Sequence, residues 1–263
     1  MENISQLTKA EEDFKYATRY VKPFLVLIGA WPVSPSSSFS SRILLRIRNV
    51  LSYFLLLLLI VPPFLHMFLK RNSVKVILRI VGPTFNSIMQ FCKYTFLLGQ
   101  VNRIQKSLNA IKEDLTSATE ENRLIFRSKV KIQRRIVVIA AITMYGGGFC
   151  HRAVVPLLRG TIVTPDNVTI KLLPAHSYLV ILDEQKSPTY EILFVLQVLA
   201  GFVSYAIVCG ISGMSALLVL HTCSMLRILA NKMNRLVDKK DVPEMMVQRR
   251  IADIVEYQVK IKR

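Results

Sequence analysis

Residues 192–226 (ILFVLQVLAGFVSYAIVCGISGMSALLVLHTCSML) form 35 consecutive positions without one Asp, Glu, Lys or Arg. A helix needs about 20 apolar residues to cross the roughly 30 Å of hydrocarbon in a bilayer. At about 1.5 Å per residue this run reaches about 52 Å. Glu191 bounds it on one side and Arg227 on the other. A soluble helix of that length would need burial all round, which a chain of 263 residues seldom provides. The run therefore predicts a transmembrane helix that continues past one face of the membrane.

Three further apolar segments accompany it. Residues 50–69 (VLSYFLLLLLIVPPFLHMFL) are uncharged between Arg48 and Lys70-Arg71, and Pro62 and Pro63 are expected to kink or end the helix in its second half. Residues 76–98 are weaker, with an uncharged core of 13 residues at 80–92 flanked by Arg79 and Lys93. Both cations have stems long enough to reach the interfaces, and a half-buried surface helix is the competing reading. Residues 136–158 (IVVIAAITMYGGGFCHRAVVPLL) contain Gly146, Gly147 and Gly148, with His151 and Arg152 near the far end. Inside a soluble helix each glycine would cost about 1 kcal/mol. In a membrane, small residues let a neighbouring helix or a ligand approach the backbone. No strand-like segment precedes them and no GK[ST] follows, which excludes a phosphate loop.

These segments predict an all-α polytopic membrane helical bundle of four transmembrane helices. Residues 1–49 form an N-terminal segment, 50–226 the spanning region (50–69, 76–98, 136–158 and 192–226) and 227–263 a helical tail. The net charge of +18 invites a nucleic-acid reading. The basic residues are instead spread between apolar runs, without a nucleic-acid-binding signature. Counted by connection, segments 1–49, 99–135 and 227–263 hold 26 Lys and Arg, against 8 in 70–79 and 151–190. The positive-inside rule then places the N-terminus in the cytoplasm. The sequon Asn167-Val168-Thr169 falls in a connection this topology puts outside, making Asn167 a glycosylation candidate.

The connections carry helical stripes. Ile104, Leu108, Ile111 and Leu115 repeat at helical spacing, as do Leu226, Leu229, Met233 and Leu236. Asp241, Pro243 and Glu244 resemble a helix start, followed by Val247, Ile251, Ile254, Val255 and Val259. Cys92, Cys150, Cys209 and Cys223 form no CxxC pair and read as small packing residues, with Cys150 alone near an outer face. No two histidines stand four apart, no GxSxG occurs and no span carries a central carboxylate. Neither a metal site, a cofactor nor an enzyme is expected. Gln197 is read either as a hydrogen-bonding packing residue or as a ligand contact, and Ala206 with Gly210 as a small-xxx-small contact.

Three stretches resemble the insect odorant receptor family. Residues 13–32 (DFKYATRYVKPFLVLIGAWP) are similar to its N-terminal re-entrant region, ending in Gly29, Trp31 and Pro32 as Gly-x-Trp-Pro. Residues 111–115 (IKEDL) resemble its acidic "DW" position, with Leu115 in place of Trp. Residues 173–197 are similar to its outer loop at Leu173, Pro174, Ser187, Pro188, Tyr190 and Gln197. Of that loop's usual Trp-Tyr-Pro-Phe-Asp part, Asp183 alone has a counterpart.

The resemblance implies a subunit of a seven-helix ligand-gated cation channel, assembled with a common coreceptor in the plasma membrane of sensory neurons. It implies a pocket for a small volatile ligand in the outer half, among the second, third, fourth and sixth helices, and a pore lined by the seventh. Arg263 would then lie between helices four and five, so an incomplete receptor lacking its pore helix is expected. The candidate pocket residues are Phe85 and Met89, Tyr145 and Phe149, and Phe202 and Tyr205. Aromatic and Met side chains suit an apolar volatile ligand, while ordinary helix packing is the alternative for each. A gustatory-type receptor and a four-span membrane scaffold are the competing functions.

Overall fold

A computed structural model describes residues 2–32, 38–69, 74–163, 169–175, 177–179, 183–237 and 244–262. Asn167, Asp241, Pro243 and the flanking pair Lys70-Arg71 lie outside these residues. The chain is built from helices, as expected, with one two-stranded ribbon added: β1 (Thr161–Val163) pairs antiparallel with β2 (Thr169–Lys171). Among the described residues, three helical stretches are long and apolar enough to cross a membrane: Phe39–Leu69, Glu120–Arg159 and Thr189–Leu236. The remaining expected span is a helix as well, α5 (Val74–Gly99), but its composition falls short of theirs.

Two compact units divide the chain. The first comprises Met1–Tyr20, Lys106–Ile136 and Gly213–Arg263. It contains α1 (Glu2–Thr18), most of α6 (Val101–Thr116), the first part of α7 (Glu120–Ala141), the end of α9 (Thr189–Val237) and α10 (Glu244–Lys262). Leu108, Ile111 and Leu115 are buried here, so the predicted α6 face is the packed one. Charge holds this unit together. Asp13 is 5% exposed, accepts a 2.6 Å bond from Arg127 Nε and lies 3.7 Å from Arg123 Nη1. Arg123 donates to the carbonyls of Gln6 and Leu115 at 3.2 Å each and of Ala118 at 3.4 Å. Asp114 lies 2.9 Å from His221 Nε2, whose ring stacks on Phe126 at 5.1 Å. The acidic position of the IKEDL stretch is thus tied to α9.

Arg134 lies 4.0 Å over the ring of Tyr16 and donates to Tyr20 Oη at 3.0 Å. That hydrogen bond holds the Tyr20 phenol below its ordinary pKa. Tyr257 on α10 donates to Met225 Sδ at 3.0 Å, and burial pushes its phenol well up.

Two predicted stripes are out of register. Leu226 and Met233 are about half exposed, and the buried face of α9 at this end is Ser224, Met225 and Ile228. On α10, Ile251, Val255 and Val259 are exposed, and Val247, Arg250, Ile254 and Tyr257 are half-buried. Apolar residues occur on more than one side of both segments, so spacing alone did not single out the packed side.

The second unit comprises Val21–Gln105 and Val137–Ser212. Here α2 (Lys22–Leu27) starts with Pro23 in its first turn, where the missing N–H costs nothing. It stops at Gly29, whose φ of 68° is left-handed, and Ala30 N closes the turn on Leu25 O at 2.8 Å. A Cβ on Gly29 would overlap the Asn49 side chain, so the glycine of the Gly-x-Trp-Pro segment is required twice over. Tyr94 Oη donates to Ile28 O at 2.7 Å, and Arg48 Nη1 to Val26 O at 2.7 Å. Gly210 lets α9 approach α2 closely, because a Cβ there would stand 2.9 Å from Leu25 Cδ2.

The first span breaks where its prolines demand. α3 (Phe39–Leu58) ends one residue before Leu59, and α4 (Val61–Leu69) begins with Pro62 and Pro63 in its first turn. Neither proline can donate to the carbonyl four residues back, and their rings collide with it. Leu55, Leu59 and Ala200 form a buried apolar cluster, with Ala175, Leu196 and Val203 against it.

Candidate ligand-binding site

The third apolar stretch is not a regular α-helix. After α7 the backbone takes π-helical form at Ile142–Gly147 and again at Cys150–Val154, then returns to α8 (Val155–Arg159). A π-helical turn widens a helix and often marks a functional site. The glycine run lies where the first π segment ends. Gly146 and Gly147 face open space, whereas a Cβ on Gly148 would overlap the Tyr205 ring. The bare backbone of Gly148 is therefore what lets Tyr205 of α9 lie on this helix.

Around that contact the structure gathers an aromatic cluster. The Tyr145 ring centroid lies 5.5 Å from Phe202 and 5.7 Å from Tyr205, the latter edge-on. Phe149 lies 5.9 Å from Phe202, and Tyr145 Oη donates to Phe202 O at 3.2 Å. Such separations are those at which ring edges and faces attract. Four predicted site residues, Tyr145, Phe149, Phe202 and Tyr205, are thus brought together. Phe149 remains 44% exposed, and the other three are half-buried, so the cluster is open on one side.

Phe85 and Met89 are not brought there. They are 63% and 41% exposed, on the side of α5 opposite its buried face of Ile80, Thr84, Ser87, Gln90 and Tyr94. Conversely, Phe24 of α2 stacks on Tyr145 at 6.1 Å and 23°. Sequence reasoning missed it because a six-residue helix shows no period. It also passed over Arg152, whose guanidinium lies 5.9 Å from the Tyr205 ring centroid. The signal available was a cation inside an apolar run.

Gln197 is fully buried and pins the loop that precedes α9. Its Oε1 accepts from Ala175 N at 2.9 Å and its Nε2 donates to Ser177 Oγ at 2.5 Å. That satisfies the side chain within the loop and favours the packing reading over ligand contact. Cys209 is buried and Cys92, Cys150 and Cys223 are exposed, all as free thiols. Among the described residues no group of His, Cys, Asp and Glu is arranged to hold a metal ion.

The first unit encloses a separate small cavity, lined by Tyr16, Phe126, Gln133, His221 and Ser224 among others. Gln133 is fully buried, and neither its Oε1 nor its Nε2 meets a partner. The space suits about one water molecule.

A family model described as "7tm Odorant receptor" matches residues 73–263. The chain belongs to the 7tm odorant receptor family. Among solved structures this receptor chain is similar to the insect olfactory receptor OR5 from Machilis hrabei, determined in complex with eugenol. The TM-score is 0.67 and the identity 14%, over 95% of this chain and 64% of that one. That likeness carries the fold, and the chain spans somewhat under two thirds of the length of the solved receptor. No curated protein sequence matches.

Proposed function

We propose that this chain is the odorant-binding part of a receptor subunit that takes a small volatile ligand and, with a coreceptor, gates a cation channel in the plasma membrane of sensory neurons. The observation that carries this reading is the open aromatic cluster of Tyr145, Phe149, Phe202 and Tyr205 on a π-helical wall. Ligand sites are concave, largely apolar and lined by aromatic side chains with few polar groups. Membership of the family and the fold shared with a eugenol-bound olfactory receptor support it. The charge count supports a cytoplasmic N-terminus, which puts the cluster toward the outer half of the membrane.

The test is odorant-evoked current from the full-length receptor, with and without coreceptor. Current that requires the coreceptor is expected, and current in its absence would favour the gustatory-type reading. Tyr145→Ala should reorder the ranking of volatile ligands while surface delivery is maintained. An unchanged ranking would remove Tyr145 from the site.

A further inference from the structure

Among the described residues, Arg152 stands out as a charge with no counter-charge. It lies in the second π-helical segment, inside a span where an unpaired cation is costly and marks function by default. Its Nη1 is buried and meets no hydrogen-bond partner. Its stem lies on the backbone of α9, because Gly201 has no side chain: a Cβ there would stand 2.9 Å from Arg152 Cδ. The guanidinium is held 5.9 Å from the Tyr205 ring, and Tyr205 in turn rests on Gly148. Gly201 thus makes room for the cation, and Gly148 for the ring beside it.

We propose that Arg152 is the polar anchor of the ligand site, and that the ligand presents a hydrogen-bond-accepting oxygen, carbonyl or carboxylate, on an apolar or aromatic body. The inference rests on the ligand-site reading above and adds the chemical class. A guanidinium offers five donors and no acceptor, so a group that meets it must accept. The aromatic faces take the ligand's body, and the half-buried guanidinium takes its oxygen. A lipid phosphate offers the same acceptor chemistry, but the buried Nη1 and the contact with Tyr205 turn the head toward the cluster.

The experiment compares near-isosteric volatiles that differ in the acceptor alone: benzaldehyde with styrene, and acetophenone with α-methylstyrene. Binding is measured by calorimetry on the chain in nanodiscs of zwitterionic lipid, with protein-free nanodiscs as blank. The carbonyl member of each pair should bind about tenfold or more tighter, the worth of a hydrogen bond to a charged group. Arg152→Met should abolish that preference while leaving styrene binding within about threefold, and Arg152→Lys should retain part of it. Equal affinity within each pair, or a preference that survives Arg152→Met, would overturn the anchor and leave the aromatic site standing. Saturation of Arg152 by headgroups would show as the same equality. No binding of any of the four compounds would remove the ligand-site reading together with the anchor. The comparison within each pair needs only the unaltered chain, so it stands even if a variant fails to fold.

Discussion

The two units of this receptor solve burial in opposite ways. The first buries carboxylates and partners them: Asp13 with Arg123 and Arg127, and Asp114 in a hydrogen bond with His221. The second buries aromatic rings and bare backbone: Tyr145, Phe202 and Tyr205 around Gly148, and Tyr94 over the Gly29 turn. A buried ion pair is satisfied by one geometry and by little else. A cluster of rings tolerates rearrangement, because offset and edge-on contacts have similar energies. The first arrangement fixes one geometry, and the second leaves room for rearrangement.

The sharpest way to break the contrast is Arg123→Met. It removes three carbonyl contacts and one of the two cations beside Asp13, and should cost about 3–5 kcal/mol. Thermal unfolding of the chain in detergent micelles checks this. Gly148→Ala probes the other unit. Tyr205 must swing off the helix, at about 1–3 kcal/mol for overpacking, and ligand ranking should change more than stability does. Tyr94→Phe removes the hydroxyl that caps Ile28 O and should cost about 1 kcal/mol by the same unfolding assay. The smallest effect is expected from Gln133→Leu. Its amide has no partner to lose, so stability should change by less than about 1 kcal/mol, in either direction. A loss of several kcal/mol would instead mean that the Gln133 cavity holds a tightly bonded water.

What could be read in advance followed from local chemistry. Pro62 and Pro63 broke the first span because proline acts on its own turn, and Gly148 lies in a glycine run whose missing Cβ atoms invite close approach. The packed face of a helix was harder to read, and α5 shows why. Its buried side carries Thr84, Ser87 and Gln90, whereas Val81, Phe85, Met89 and Phe96 face outward. The rule for water-soluble helices puts apolar residues inside. On α5 the hydroxyls are satisfied within the helix itself, Thr84 Oγ1 donating to Ile80 O and Ser87 Oγ to Pro83 O, so they can be packed without outside partners. Apolar chemistry alone did not tell that Phe85 and Met89 lie on the exposed side of this helix. Tyr145, Phe149, Phe202 and Tyr205 come together because they lie on two helices drawn close at Gly148. Arg152 was visible as a letter, but that its Nη1 meets no hydrogen-bond partner among the described residues is a three-dimensional fact.

The π-helical turns carry an evolutionary consequence. A π segment is in effect an α-helix with one residue inserted, and removing one residue from 142–147 would restore the regular helix there. The side chains beyond would keep their faces, because the wide turn is what absorbs the extra residue. Phe149 would stay against Phe202 and Arg152 beside Tyr205, and the change would be confined to the turn that carries Tyr145. Loss of a single codon would then reshape the wall at Tyr145 in one step and leave the rest of the helix as it is.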